Sequence, residues 1–145
     1  MYVDAYEACI RHLQQTNPDF PVHWGVELGL QEHTTAENLR FAQSHNFDFI
    51  IGSTHCVRGI DVYYPPFYEG RTEEEAYMDY FQATLQNAGS AADFDVYGHL
   101  DYIVRYGPNR NQFYSYQRYA DILDEIMRTL IARGKGIELN NAGFK

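Results

Sequence analysis

Four stretches of the chain share one hydrophobic pattern, an apolar or β-branched run that ends in small and polar residues. The strands that this pattern predicts cover residues 21–30, 47–53, 94–99 and 137–140. Continuous apolar runs of this length, bounded by Gly, Pro or Asp, are typical of strands in a parallel sheet. The run that ends at Ser53 is the most apolar of the four, so we expect it to be covered on both faces.

Apolar positions at helical spacing separate these runs. The predicted helices cover residues 3–15, 35–45, 72–87 and 115–133. Thr34 or Thr35, Thr72 and Ser115 are expected to cap the last three, and three glutamates after Thr72 suit the positive end of a helix. Residues 57–71 and 102–111 are predicted loops.

The resulting order is a helix followed by a strand, repeated four times. Such alternation favours a parallel sheet with helical crossovers, so we predict the α/β class. The 145 residues suit one domain, and we expect residues 1–145 to form it. A closed eight-unit barrel typically needs about 250 residues. The chain is therefore either an open sheet or a part of a barrel.

Composition narrows the classes of partner. The net charge of −9 disfavours binding to nucleic acid, which requires clustered Lys and Arg. No apolar run approaches the roughly 20 residues that span a bilayer, and the first residues show no secretory signal, so we expect no membrane contact and a cytoplasmic protein. Cys9 and Cys56 lack metal-ligand spacing. We expect Cys56 to be a buried small side chain rather than a nucleophile.

Aromatic residues are numerous, with 13 Tyr and 9 Phe, and they concentrate between residues 63 and 119. Most are expected to pack in the core. A few of them could instead form a wall that recognises a substrate.

Three predicted strands end in a side chain that can bind a metal. Glu27, His55 and His99 lie at or just past the ends of these runs. The carboxyl ends of parallel strands meet at one rim, where catalytic groups collect in barrels. A carboxylate inside an apolar strand is costly unless it is paired or binds a metal. The alternatives to metal binding are a Glu27 side chain that faces solvent or an arginine, and histidines that pack in the core. We predict a divalent metal site, with Zn, Fe or Mn as the ion.

Further polar residues follow the same clusters. Asp101 is either an acceptor that orients His99 or an ordinary aspartate at a strand end. Arg58, Arg105 and Lys145 are either a clamp for a phosphate or surface cations. The remaining histidines belong to no such pattern and are expected at the surface or in packing; they are His12, His23, His33 and His45.

Residues 25–29, 52–61, 94–107 and 136–143 together resemble the central part of the PHP (polymerase and histidinol phosphatase) family, in its histidinol-phosphatase branch. The resemblance runs from about Gly25 to the last residue. It implies part of a distorted barrel of about seven strand–helix units, with metal ions at its mouth. It makes Glu27 a bridging ligand and His55 and His99 ligands. It also implies that Arg105 binds the substrate phosphate. The same role for Arg58 and Lys145 has weaker support, because the residues around them match the family less well.

The chain also departs from that family, which has a His-x-His and a further His before this region and an Asp-x-His after it. None of these is present. We therefore expect a partial PHP domain of about four strand–helix units, the middle of a longer protein. The exposed edges of an incomplete barrel lead us to expect a homo-oligomer.

The resemblance implies metal-dependent hydrolysis of a small phosphate monoester, histidinol phosphate, in histidine biosynthesis. With only three ligands, we expect this chain to be weak or inactive alone. Two alternatives remain open: a PHP-like domain with a nuclease or structural role, as attached to DNA polymerases, and a non-catalytic anion-binding α/β module. The glycine-rich motifs that would support the module are absent from the sequence.

Overall fold

A computed structural model describes residues 2–139 of the chain. The helices of eight or more residues are α1 (Val3–Thr16), α2 (Thr35–Gln43), α3 (Glu73–Gly89) and α5 (Ala120–Ala132), and α4 is a short helix (Tyr102–Tyr106). The strands are β1 (Gly25–Gly29), β2 (Phe49–Ser53), β3 (Cys56–Val57), β4 (Ile60–Asp61), β5 (Val96–Tyr97) and β6 (Gly136–Ile137). Single 3-10 turns lie at Glu32–Thr34, Pro65–Phe67 and Tyr116–Tyr119.

The main sheet has the order β1-β2-β5-β6, and all three pairings are parallel. Its register sets Glu27 beside Ile51, and Ile51 beside Val96. The predicted α/β class with four parallel strands is therefore confirmed. Within residues 2–139 the sheet is open, with β1 and β6 as its outer strands.

The hydrophobic core lies between one face of this sheet and helices α3 and α5. Leu28 and Phe94 extend from the sheet into this core, and a Cβ on Gly52 would meet Leu30 and Phe94 at 2.9 Å. The glycine is needed there because β2 packs closely on its neighbours. Since side chains alternate along a strand, the side chains of Glu27, Ile51 and Ser53 belong to the opposite face.

Helix α3 shows why the sequence forms this layer. Thr72 caps this helix as predicted, and together with Glu75 it forms a capping box. The residues that α3 buries recur at three- and four-residue spacing and include three large aromatic rings; they are Ala76, Tyr77, Tyr80, Phe81, Thr84, Asn87 and Ala88.

Among the described residues, no helix combines the length and apolar character that crossing a bilayer requires.

A buried polar network ties the end of β2 to α3 and β5. The Thr54 hydroxyl lies 2.6 Å from the Tyr97 hydroxyl and accepts a hydrogen bond from Asn87 Nδ2 at 2.7 Å. Tyr80 donates to the Thr54 carbonyl at 3.1 Å, and Asn87 Nδ2 also donates to the Leu30 carbonyl. The buried hydroxyls and the amide therefore satisfy one another, as buried polar groups must.

The two predicted loops both contain regular structure, so these predictions were wrong. In residues 57–71, β3 and β4 pair as an antiparallel hairpin around Arg58 and Gly59. Both turn residues have positive φ (51° and 80°), as the tightest hairpin turns require, but Arg-Gly is a weaker hairpin signal than Asn-Gly. In residues 102–111, α4 forms a helix of five residues, too short to show an amphipathic period.

Three local predictions also fail. Neither Thr34 nor Ser115 makes a side-chain cap bond, and the Thr34 hydroxyl donates to the Gln31 carbonyl instead. Strand β2 is not covered on both faces, since Phe49 is 43% exposed. The helices described for this chain cover the core face of β2, and Phe49 lies on the other face.

We predict that Asn87→Ala lowers the free energy of unfolding by about 1–3 kcal/mol, because it leaves the Leu30 carbonyl without a donor and weakens the Thr54 network. Urea unfolding followed by circular dichroism measures the change. Asn111→Ala, at an exposed position, is the matched control, with an expected change within about 0.5 kcal/mol. Equal stability of the two variants would contradict the role given to the network.

Candidate metal centre

Glu27 lies inside β1, between residues that face the core. Leu28 is buried against the helices, so the Glu27 side chain extends from the opposite, open face of the sheet. Its side chain is 45% exposed. The Glu27 carboxylate therefore lies on the face of the sheet opposite the hydrophobic core.

His55 and His99 each follow a neighbouring strand by two residues, after β2 and β5 respectively. Their imidazole Nε2 atoms lie 3.5 Å and 3.2 Å from Oε1 of Glu27. The His55 and His99 rings are 4.9 Å apart. The three side chains thus converge at one point, as the recurrent strand endings predicted.

The spacing of these atoms suits a metal ion. One ligand atom from each of Glu27, His55 and His99 lies within 4.8 Å of the other two. Zinc bonded to nitrogen or oxygen at about 2.0–2.1 Å in a tetrahedral site places neighbouring ligand atoms about 3.3 Å apart. The two measured separations from Glu27, 3.2 Å and 3.5 Å, lie on either side of this value. The cluster therefore offers three candidate ligand atoms at a spacing that one divalent ion accepts.

Ser53 fixes the carboxylate in this cluster. Its fully buried hydroxyl donates to Oε1 of Glu27 at 2.7 Å. Burial, the largest influence, opposes ionisation of Glu27, but the hydrogen bonds from Ser53 and His99 and the charges of both histidines together lower the pKa of the carboxyl. Burial, assisted by the charge of His99, also lowers the pKa of His55. Both shifts favour the forms that bind metals, a carboxylate and a neutral imidazole.

Tyr102, the first residue of α4, covers the two histidines. Its ring centroid lies 4.8 Å from that of His55 and 4.9 Å from that of His99. Tyr106 packs on Tyr102 at 4.8 Å, and Tyr63 packs on Tyr106 at 5.0 Å. Burial, with the nearby charge of Asp61, raises the pKa of Tyr102 to about 12, so its phenol stays protonated at neutral pH. An aromatic wall, Tyr63, Tyr102 and Tyr106, therefore borders the cluster.

The other aromatic residues divide as the sequence suggested. Most of the tyrosines and phenylalanines with little exposure belong to the core, among them Tyr77, Tyr80, Tyr97, Phe81 and Phe94. Tyr63 is 55% exposed, so it is available to a ligand in a way that these core residues are not.

Asp101 does not orient His99 in this structure. His99 Nδ1 is buried and has no hydrogen-bond partner among residues 2–139, while Asp101 is exposed at the residue before α4. The Asp101 backbone carbonyl accepts from the Val104 N–H at the start of α4.

The predicted phosphate-binding cations have different surroundings. Arg105 is exposed on α4, three residues after Tyr102 and thus one helical turn along the same face. Its guanidinium lies 6.0 Å from the Tyr106 ring, and it forms no ion pair within residues 2–139. Arg58 is paired with Asp79 of α3 at 2.5 Å. Lys145 lies outside the described residues.

Sequence reasoning missed four residues around the cluster: Ser53, Asp61, Tyr102 and Glu138. Ser53 and Glu138 belong to the predicted strands 47–53 and 137–140, and the alternation of side chains along a strand could have placed them on the face of Glu27. Glu138 accepts a hydrogen bond from the backbone N–H of His99 at 3.0 Å. Asp61 lies on the hairpin and Tyr102 on the short helix, both within the predicted loops, where the sequence carries no periodic signal.

Cys56 lies next to His55 but has no sign of an activated thiol. Burial, together with the negative charge of Asp61, raises the pKa of Cys56. Because a thiolate is the reactive form, this environment opposes a nucleophilic role, in line with the expectation from the sequence.

The fold and the cluster define a class of protein, an α/β protein with a carboxylate and two imidazoles grouped as a candidate metal site at the carboxyl ends of parallel strands. The family model for the PHP domain matches residues 1–142. The chain therefore belongs to the PHP domain family, as the resemblance from Gly25 onward implied. The match begins further toward the N-terminus than that resemblance did. That residues 1–145 form a single partial domain stays a prediction.

The chain is similar to several histidinol-phosphatases. It is 35% identical over 121 residues to the histidinol-phosphatase of Lactococcus lactis subsp. lactis (strain IL1403). The matched segment covers 83% of this chain and 45% of the relative. It is 30% identical over 116 residues to a probable histidinol-phosphatase of Clostridium acetobutylicum. The matched segment covers 80% of this chain and 46% of that relative. The chain thus spans about half the length of the curated relatives it matches.

One solved structure is closely similar. It is the crystal structure of histidinol phosphate phosphatase from Lactococcus lactis subsp. lactis Il1403, complexed with zinc, L-histidinol and phosphate. The TM-score is 0.90 at 33% identity, and the match covers 97% of this chain and 54% of that chain. This similarity supports the same α/β fold for the described residues.

We predict that Ser53→Ala weakens zinc binding by about 10- to 100-fold, because the Glu27 carboxylate loses the donor that orients it. Competition with a chromophoric chelator measures the affinity. Ser115→Ala, at an exposed serine with no cap bond, is the matched control and is expected to keep the parent affinity. Unchanged zinc affinity in Ser53→Ala would show that Glu27 needs no such support.

Proposed function

We propose that this chain carries part of the metal centre of a phosphomonoester hydrolase of the histidinol-phosphatase type. The single observation that carries the proposal is the convergence of Glu27, His55 and His99 at one rim of the parallel sheet. Family membership and similarity to a protein complexed with zinc, L-histidinol and phosphate support it. Histidinol phosphate is the proposed substrate, and its conversion to histidinol and phosphate is the proposed reaction in histidine biosynthesis.

Each of the three residues has a proposed role at the metal. The Glu27 carboxylate, held by Ser53, supplies the anionic ligand, and His55 and His99 supply neutral nitrogen ligands through Nε2. Zinc, iron and manganese all accept this mixture of ligands. When bound, a divalent ion lowers the pKa of a water molecule and neutralises charge on phosphate oxygens.

Residues of this chain would hold the phosphate and the leaving group. Arg105 is the best placed cation for the phosphate, because it lies one turn beyond Tyr102 and has no carboxylate partner in the described residues. Arg58 would first have to leave Asp79, and Lys145 is the third candidate. The aromatic wall beside the histidines offers ring faces to the imidazole of histidinol.

The experiment compares two substrates and one variant. We expect the 145-residue chain with zinc, manganese or iron to release phosphate from L-histidinol phosphate slowly, and to leave single-stranded DNA intact. Glu27→Gln keeps the size of the side chain but removes its charge, so both the metal-dependent phosphate release and the metal binding should fall at least tenfold. Slow turnover is expected because three ligands hold one ion weakly.

Three outcomes would overturn the proposal. They are phosphate release that is the same for the parent and Glu27→Gln, phosphate binding that does not depend on added metal, and cleavage of DNA in preference to the phosphomonoester. Isothermal titration with inorganic phosphate, with and without zinc, supplies the binding measurement where turnover is too slow to follow. Robust phosphatase activity of this chain alone would overturn the narrower expectation that it is weak in isolation.

We also propose that the chain associates with itself. The outer strands β1 and β6 leave unpaired backbone groups, and apolar side chains near β6 are open to solvent, with Ile131 72% exposed and Leu139 93% exposed. Residence in the cytoplasm stays a prediction from the sequence.

We predict that light scattering at micromolar concentration detects dimers or larger species, because association covers the exposed apolar side chains. Ile131→Lys should shift the distribution toward monomer. Gln117→Lys adds the same charge at an exposed polar position and should leave the distribution unchanged. A monodisperse monomer of the parent chain would contradict self-association.

A further inference from the structure

Glu138 connects the last described strand to the turn that carries His99. Its backbone N–H donates to the Tyr97 carbonyl at 2.9 Å, which extends the pairing of β6 with β5 by one residue. Its carboxylate Oε2 accepts from the backbone N–H of His99 at 3.0 Å. Glu138 therefore forms hydrogen bonds both with Tyr97, at the end of β5, and with His99, two residues further along the chain.

The backbone at His99 needs such a contact. Its φ of 22° lies outside the regions that residues with a Cβ prefer, so the surrounding structure must impose it. Three hydrogen bonds fix this turn: Gly98 N–H donates to the Gly52 carbonyl, Tyr102 N–H donates to the His99 carbonyl, and His99 N–H donates to Glu138. Only the last of these is made by a side chain.

The same turn is packed tightly against the cluster. A Cβ on Gly98 would lie 2.5 Å from Oγ of Ser53 and 3.5 Å from Oε2 of Glu138. Ser53 in turn donates to Glu27. Glu138 therefore lies on the same face as Ser53 and Glu27, behind the backbone of His99, and no contact joins its carboxylate to a side chain of the ligand set in the described structure.

We propose that Glu138 is a positioning residue for the metal centre, which fixes the backbone of His99 and thereby the position of its Nε2. A carboxylate that accepts from a backbone N–H forms a stronger hydrogen bond than a neutral acceptor does, but either acceptor defines the same geometry. The role requires the acceptor oxygen. The proposal rests on the metal centre proposed above, and it does not require that the chain hydrolyses a phosphate ester.

The test uses cobalt(II), whose visible absorption reports the ligand geometry, on the 145-residue chain. We expect Glu138→Ala to weaken cobalt affinity by about 10- to 100-fold and to change the absorption bands. Glu138→Gln retains an acceptor oxygen at the same reach, so it should bind cobalt within about threefold of the parent and restore the bands. Glu125→Ala, at an exposed glutamate of α5, is the control and should match the parent.

Amide NMR separates positioning from a general loss of structure. The amide proton of His99 should move upfield in Glu138→Ala and return close to the parent value in Glu138→Gln, while amides of α3 keep their positions. Parent-like cobalt binding in Glu138→Ala would overturn the proposal, and so would a Glu138→Gln variant that binds as poorly as Glu138→Ala. A chain that binds cobalt as expected but releases no phosphate would refute the proposed function and leave the role of Glu138 standing.

Discussion

The hydrogen bonds buried around Thr54 are the constraint on which the cluster depends. Thr54 lies between Ser53, which holds the Glu27 carboxylate, and His55, which supplies an imidazole. Its hydroxyl and carbonyl are fixed by Asn87 and Tyr80 of α3 and by Tyr97 of β5. Because a buried polar group without a partner is costly, these hydrogen bonds favour the arrangement in which Thr54 is satisfied by all three neighbours. That arrangement directs the residues on either side of Thr54 toward Glu27.

One face of the sheet packs in the hydrophobic core, and the other face carries the candidate metal site. The core face carries apolar side chains such as Leu28 and Phe94, packed against α3 and α5. The other face carries Glu27, which is exposed, Ile51, which is half-buried, and Ser53, which is buried and donates to Glu27. Strand alternation explains both, since neighbouring residues in β1 necessarily serve opposite faces. A change in register by one residue would bury Glu27 among apolar side chains and expose Leu28.

Much of the fold was predictable because its signals are local. The helix cap at Thr72, the apolar runs of β1 and β2 and the alternation of helix and strand could be predicted. The last two placed Glu27, His55 and His99 at one rim. The sequence did not predict the hairpin at Arg58 and Gly59 or the short helix α4. Contacts with distant residues stabilise both elements, and neither has a hydrophobic periodicity of its own. The neighbours of the three converging side chains, Tyr102 above all, could not be predicted because they lie on those two elements.

The sequence by itself determined the α/β class, the order of its elements and the identity of the three converging side chains, since periodicity and strand endings are properties of adjacent residues. Only the tertiary structure decided which atoms meet. The hydrogen bond from Ser53 to Glu27, the ring of Tyr102 against both histidines and the carboxylate of Glu138 behind His99 all join residues far apart in the chain. Their distances are set by strand register and helix packing, and no local pattern encodes these.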